Sequence, residues 1–307
     1  QPGFPGPPTT QLRATTTPAA IGLQINAGNS TVRGLVVNGF TNGTGISISG
    51  GSGNTVVGSY IGTNVAGTAA VANQFGIVIT SSNNTIGGPT ASLRNIISGN
   101  LAGVRLSVGT GNTIQGNYVG LNAAGNAAVG NSGGGLDIFG GAQGNLIGGT
   151  SPGAGNVISG SRMNIVFLNA PNNTVQGNII GLDPSGTTVM GSNLIGISLQ
   201  GADDNTIGGT STGARNVISG HTTFGIEIGG TSRTVVEGNF IGTDITGTLA
   251  RGNSIAIQVH ASAPDSNRIG GTAAGAGNTI AFNSNGIRVL AGVSNSFLGN
   301  SIHSNGL

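Results

Sequence analysis

Eight carboxylates serve a chain of 307 residues, few enough for each to be weighed as a chemical group. Asp203 and Asp204 are adjacent. An inverting glycosidase needs two carboxyl groups about 6.5–9.5 Å apart, one of them held protonated, and this pair meets that spacing if both side chains turn the same way. Consecutive corner residues usually point apart into water, so a solvated corner is the plainer reading. Asp183 and Asp244 share the pattern Asn/Asp-x-x-Gly with Asn64 and Asn122. Calcium would need roughly six to eight oxygens with converging carboxylates, whereas turn-initiating Asp and Asn explain the pattern on their own. The chain has no Ser/His/Asp nucleophile context, no phosphate loop and no metal-spaced His pair, so neither metal nor cofactor is expected.

These groups are positioned by a repeat. Two apolar residues flank one variable position in GLQI (ending at Ile25), GISI (Ile48), GIVI (Ile79), GVRL (Leu106), GLDI (Ile138), NIVF (Phe167), GISL (Leu199), GIEI (Ile228), AIQV (Val259) and GIRV (Val289), at intervals of 23 to 32 residues. Self-similarity at such a period marks a repeat architecture. A second column reads Asn29 (with one extra residue), Asn54, Asn84, Asn112, Asn145, Asn173, Asn205, Arg233, Asn267 and Asn295. A third alternates between GNYVG-like segments (Gly116, Gly177, Gly238) and NVISG-like segments (Asn95, Asn156, Asn216), so the true unit is a pair of turns.

Each turn thus carries three short strands separated by Gly, Asn and Ser corners. Such strands cannot hold a flat sheet alone, but coiled and stacked in parallel they enclose an aliphatic interior. The expected fold is all-β: a right-handed, single-stranded parallel β-helix of about ten turns over residues 21–307, behind a Pro/Thr-rich extended segment or cap at residues 1–20 containing Pro5, Pro7, Pro8 and Pro18. Two families of insertions alternate, one exemplified by 121–133 and the other by 150–155. The chain stops at Gly306-Leu307, inside an eleventh turn, which predicts an open end and head-to-tail self-association. Asn54, Asn84, Asn112, Asn145, Asn173, Asn205, Asn267 and Asn295 are expected to form a structural ladder, left-handed at a tight corner and bonded amide to amide between turns. The middle residue of GIxI faces outward, giving the column Gln24, Ser47, Val78, Arg105, Asp137, Val166, Ser198, Glu227, Gln258, Arg288. Arg105 should sit beside Asp137, as in an ordinary cross-strand pair.

NTIGGTSTGARNVISG (205–220) and NTVQGNIIGLDPSGT (173–187) resemble the right-handed parallel β-helix repeats of bacterial cell-surface and secreted proteins, the pectate-lyase-like fold. The resemblance implies a secreted or cell-surface protein. The same coil carries lyases, hydrolases, epimerases, adhesins and passive stalks, so it does not fix an activity. In its polysaccharide-active members, the resemblance implies a site on one outward sheet, where Glu227, Gln258, Arg288 and nearby His260 would be the candidates. Asp203-Asp204 followed by Gly220-His221 is similar to part of the pectin-hydrolase pattern, but the Asn-Thr-Asp and Arg-Ile-Lys parts are missing.

Composition narrows the partners. The chain has no lysine, and its ten arginines are scattered and nearly balanced by acids, for a net charge of +2. Nucleic-acid binding needs clustered cations, so it is excluded as an expectation. No cysteine is present, which removes disulfides and thiolate metal sites. No apolar run approaches the roughly 20 residues of a membrane span. The leading expectation is a structural stalk, adhesin shaft or filament subunit without catalysis. The alternative is a polysaccharide-active enzyme or glycan-binding module on the GIxI face. A third reading, surface binding by flat Thr/Asn ladders, draws on Thr55, Thr85, Thr113, Thr174 and Thr206.

Overall fold

The computed structural model describes residues 6–16, 19–260 and 266–306; Pro5, Pro18 and Leu307, invoked above for the ends, lie outside them. Each turn contributes one strand to each of three parallel sheets, of eleven, ten and ten strands. We call them sheet A (beginning Thr10–Arg13, Leu35–Asn38, Tyr60–Ile61), sheet B (Ile21–Ile25, Thr44–Ile48, Phe75–Ile79) and sheet C (Thr31–Arg33, Thr55–Val57, Thr85–Gly87). Sheet B holds the GIxI strands. The all-β parallel solenoid of about ten turns, with three short strands per turn, is the architecture the repeat predicts. Part of the amino-terminal segment joins the coil, since Thr10–Arg13 pairs in parallel with Leu35–Asn38. Both insertion families flank sheet A: one links sheet A to sheet B, the other sheet C to sheet A.

The interior is stacked aliphatics. In sheet B, Ile46, Ile77, Val104, Leu136, Ile165 and Ile197 follow one another through the registers of successive strands and are essentially inaccessible to water. Burying each such side chain stabilises the coil by about 2 kcal/mol. The glycine that opens GIxI has a steric cause: a Cβ on Gly103 would lie 2.5 Å from the Gly135 carbonyl oxygen and 3.0 Å from the Asn131 amide nitrogen.

Asparagines line all three corners. In the ladder between sheets B and C, Asn54, Asn84 and Asn112 each donate Nδ2 to the Oδ1 of the next member at 2.9–3.1 Å. That Oδ1 also accepts the preceding member's backbone N–H. A second ladder between sheets C and A runs Asn95, Asn117, Asn156, Asn178, Asn216, Asn239, Asn278, Asn300. A third, between A and B, links Asn73, Asn100 and Asn131, and further on Asn253, Asn283 and Asn305. Buried amides satisfied on both sides in this way hold each corner to the next.

Three details of the ladder reading change. The left-handed residue is the one before each ladder asparagine, as at Asn83 (φ 58°) and Asn172 (φ 56°), not the ladder residue itself. In the first turn Ser30, not Asn29, bonds to Asn54 Oδ1. Arg233 does not occupy the ladder; it has φ 57°, and because Thr206 pairs with Val235, Thr234 stands beside Asn205. The Thr234 hydroxyl is buried without a hydrogen-bond partner. Thr234→Asn should therefore complete the ladder and raise stability by about 1–2 kcal/mol, read as an increase in the urea midpoint at unchanged slope; a decrease would show that this turn has no room for the amide.

A candidate site on the outer face of the GIxI sheet

The outward column assembles in the expected register, from Gln24 beside Ser47 to Gln258 beside Arg288. Its charges fall into two groups. In the first, Arg105 Nη2 lies 3.4 Å from Asp137 Oδ2, and the guanidinium stacks on Phe75 and Phe139, 4.1 and 5.3 Å from the ring centroids. Burial pushes the Asp137 carboxyl above the usual aspartate range, with the charge and hydrogen bond of Arg105 opposing it.

The second group centres on Glu227. Ser198 Oγ donates to Oε2 at 2.8 Å, and His260 Nε2 lies 3.0 Å from Oε1. Gln200 Nε2 reaches Ser198 Oγ at 3.2 Å. Two turns past Glu227, Arg288 donates from Nε to Oε1 of the intervening Gln258 at 2.8 Å. Glu227, Gln258, Arg288 and His260 are thus brought together, Glu227 bonded to His260 rather than to Arg288. The arrangement sets a carboxylate and an imidazole within hydrogen-bond distance of each other at a partly exposed surface. Among the described residues it supplies one carboxylate: Asp137 stands three strands away, about 14 Å at the inter-strand spacing, beyond the separation an acid–base pair needs.

The other acids among the described residues are bound to their neighbours. Asp203 and Asp204 both turn to Arg233, at 3.3 and 2.6 Å, and Asp203 Oδ1 also accepts the Ser232 N–H at 2.8 Å. Hydrogen bonding to Arg233 holds the Asp204 carboxyl below its ordinary range. Asp183 Oδ1 accepts the Thr187 and Thr188 N–H groups, and Asp244 Oδ1 those of Thr248 and Leu249. Burial would raise both pKa values, yet these bonds and those from Ser185 and Thr246 win, and both end up lowered. Asn64 and Asn122 make the same closures, so the Asn/Asp-x-x-Gly pattern is a turn lock.

His221 departs furthest from the hydrolase-like reading. It is fully buried, far from the surface corner of Asp203 and Asp204, and occupies the third ladder. Its Nδ1 lies 2.8 Å from Asn253 Oδ1 and its Nε2 3.1 Å from Asn164 Nδ2. Those partners assign the neutral Nδ1–H tautomer, donating to Asn253 and accepting from Asn164. Burial lowers its pKa to about 4, against the Asn253 hydrogen bond. Asn164 stands where GIxI normally has glycine, and its amide also donates to Asn193 Oδ1 at 3.2 Å, covering the place where Ser161 interrupts the asparagines. The signal for this ladder was present in the sequence: an Asn three or four residues ahead of most GIxI motifs.

No protein-family model matches the chain, and no curated protein matches it. Solved structures do. The periplasmic alginate epimerase AlgG superposes with a TM-score of 0.60 at 13% identity, over 91% of this chain and 61% of that one. The Dettilon tailspike protein gives 0.66 at 15%, over 95% and 56%. The A-module of a mannuronan C-5 epimerase from Azotobacter vinelandii gives 0.56 at 16%, over 90% and 74%. The chain spans about three-fifths of the length of the alginate epimerase. At these identities the likeness is one of architecture: the chain has the fold of the pectate-lyase-like parallel β-helix proteins.

Proposed function

We propose that the chain is the shaft of an exported structural protein, a stalk or adhesin-like rod whose repeats supply length and rigidity. The observation that carries this reading is the use made of the scarce polar chemistry. Three buried amide ladders run along the stack, and the described carboxylates are tied into turns, ion pairs or the Glu227 hydrogen bonds. The periplasmic and tailspike proteins that share the fold support export. End-to-end association belongs to the proposal as well, and light scattering across a concentration series tests it: particles that lengthen with concentration support it, and a constant mass removes it.

A second reading has one specific observation behind it, the Ser198–Glu227–His260 cluster on a face whose fold neighbours include polysaccharide epimerases. A screen of acidic and neutral polysaccharides for chain cleavage or epimerisation separates the two. A shaft gives no turnover. Turnover that disappears in Glu227→Gln while the thermal midpoint stays in place would replace the structural reading with an enzymatic one.

A further inference from the structure

Three rows of side chains make the outer face of sheet B. Besides the central row described above, Met163, Ile195 and Phe224 follow one another at the strand starts, and Phe139 and Leu168 at the strand ends. All five are partly or fully open to water, Leu168 at 49%. Neighbouring apolar side chains left open in this way mark a surface that meets something.

A strained residue borders the same face. Val108 has φ 57° and is 58% exposed, and a β-branched residue in the left-handed region is an outlier. The equivalent positions in the next four turns are Gly140, Asn169, Gly201 and Gly230. Most of the Val108 side chain faces water, so packing within the chain does not account for the strain, and an outlier of this kind points to function.

We propose that two copies of the chain pair side by side through this face, antiparallel, about a two-fold axis running along the strand at Val166. Such an axis lays each row on its own copy with the order of turns reversed. Leu168 and Met163 then meet their own equivalents. Arg105, two turns before Val166, faces Glu227 of the partner subunit, and symmetry makes that contact twice. Val108 lies over Gly230 of the partner subunit, where a side chain would have open space.

Charge selects this arrangement. Parallel rods would set Arg105 on Arg105, Asp137 on Asp137 and Glu227 on Glu227, and facing like charges oppose association. Moving the antiparallel axis half a turn toward Ser198 would set Asp137 on Glu227. Moving it half a turn the other way would leave Glu227 facing Val78. From Ser47 to Arg288 the face is about 38 Å long and 17 Å wide by strand geometry, so the pair covers about 1,300 Å² in all, above the roughly 1,000 Å² a specific interface needs. The pairing goes beyond the shaft reading, since it thickens the rod where end-to-end association lengthens it.

Sedimentation of the whole chain across a concentration series should show a dimer. Leu168→Glu, at an exposed position, should weaken it about tenfold or more with the thermal midpoint unchanged. Arg105→Glu and Glu227→Arg should each dissociate it, and mixing the two variants should restore it, because both contacts in the mixed pair join opposite charges. Orientation is read separately, and does not depend on those variants folding. The chain has no cysteine, so Leu168→Cys and Thr80→Cys each carry one spin label. The two labels of the dimer should lie close together at position 168 and about 29 Å apart at position 80, six inter-strand spacings. Short distances at both positions, association identical in wild type and Leu168→Glu, or a wild type that stays monomeric, whether or not it binds phosphatidylcholine vesicles, would each overturn the proposal. Growth past the dimer that survives in Leu168→Glu, with the labelled distances as expected, supports end-to-end association as well as the pairing.

Discussion

Replacing Asn84 by alanine is expected to destabilise the protein by about 4 kcal/mol, while replacing its neighbour Asn83 by glycine changes stability by no more than about 0.5 kcal/mol. Asn84 is buried, and its Oδ1 is the acceptor for both the backbone N–H and the Nδ2 of Asn54. Truncation leaves two buried donors unpaired, each costing about 1–3 kcal/mol. It also removes the Nδ2 that bonds Asn112 Oδ1 and Ser81 Oγ. Asn83 is exposed at φ 58°, a conformation glycine adopts without penalty. Urea denaturation gives the two values, and hydrogen exchange at the flanking turns shows whether the loss spreads along the stack. A cost below about 1 kcal/mol for Asn84→Ala would mean that water replaces the amide and that the ladder contributes little to stability.

The second large effect is acid destabilisation through His221. Its pKa is about 4 in the folded chain, against an ordinary value near 6.5 when unfolded. Above pH 6.5 neither state binds the proton, and the group adds no pH dependence. Between pH 6.5 and 4 only the unfolded state binds it, so stability falls as pH falls, by about 3 kcal/mol in total. Below pH 4 the folded state is protonated too and the dependence from this group ends. The imidazolium is disfavoured in place because its second N–H would face the Asn164 amide N–H. His221→Asn should keep the fold, since Asn193 and Asn253 hold the adjacent ladder positions, and should flatten the stability curve between pH 6.5 and 4. The lowered carboxyls of Asp183, Asp204 and Asp244 lose their contribution at lower pH, below the ordinary aspartate range, so the two effects separate. An unchanged slope in His221→Asn would show that the imidazole is not kept neutral by its burial.

The outward column of sheet B was legible in the sequence because GIxI fixes its own register: two inward aliphatics leave one possible outward residue, and Arg105 therefore meets Asp137. The ladder was legible where a single aliphatic follows, as in NTI, and misread at Arg233-Thr234-Val235-Val236, where two adjacent valines allow either register. Packing decides that case, since Val236 is the valine buried beside Ile207. The Glu227–His260 bond was not legible as a bond, because His260 comes from the end of the next strand and only the turn-to-turn stack brings it to Oε1. The partners of Asp203 and Asp204 were hidden for the same reason: Arg233 lies one full turn later. The stacking of Arg94 on Tyr118 and of Arg215 on Phe240, on the outer face of sheet A, had no local signature, since the members of each pair belong to different turns.

The Asn/Asp-x-x-Gly loops emerge at every second turn and still touch. Ala123 N bonds Gly67 O across one gap, and Ile245 N bonds Gly186 O across another, both at 2.9 Å. Separations along the second ladder alternate accordingly between long and short, 39 and 22, then 38 and 23, then 39 and 22 residues. A gene encoding such a coil can be lengthened or shortened cleanly only by 61 residues at a time. Duplicating one turn would extend the core without a clash but throw the loops out of phase, placing a bare corner where the neighbouring loop expects a partner. Length in this architecture is therefore quantised in pairs of turns, and each added pair carries its own bank of the sheet A surface.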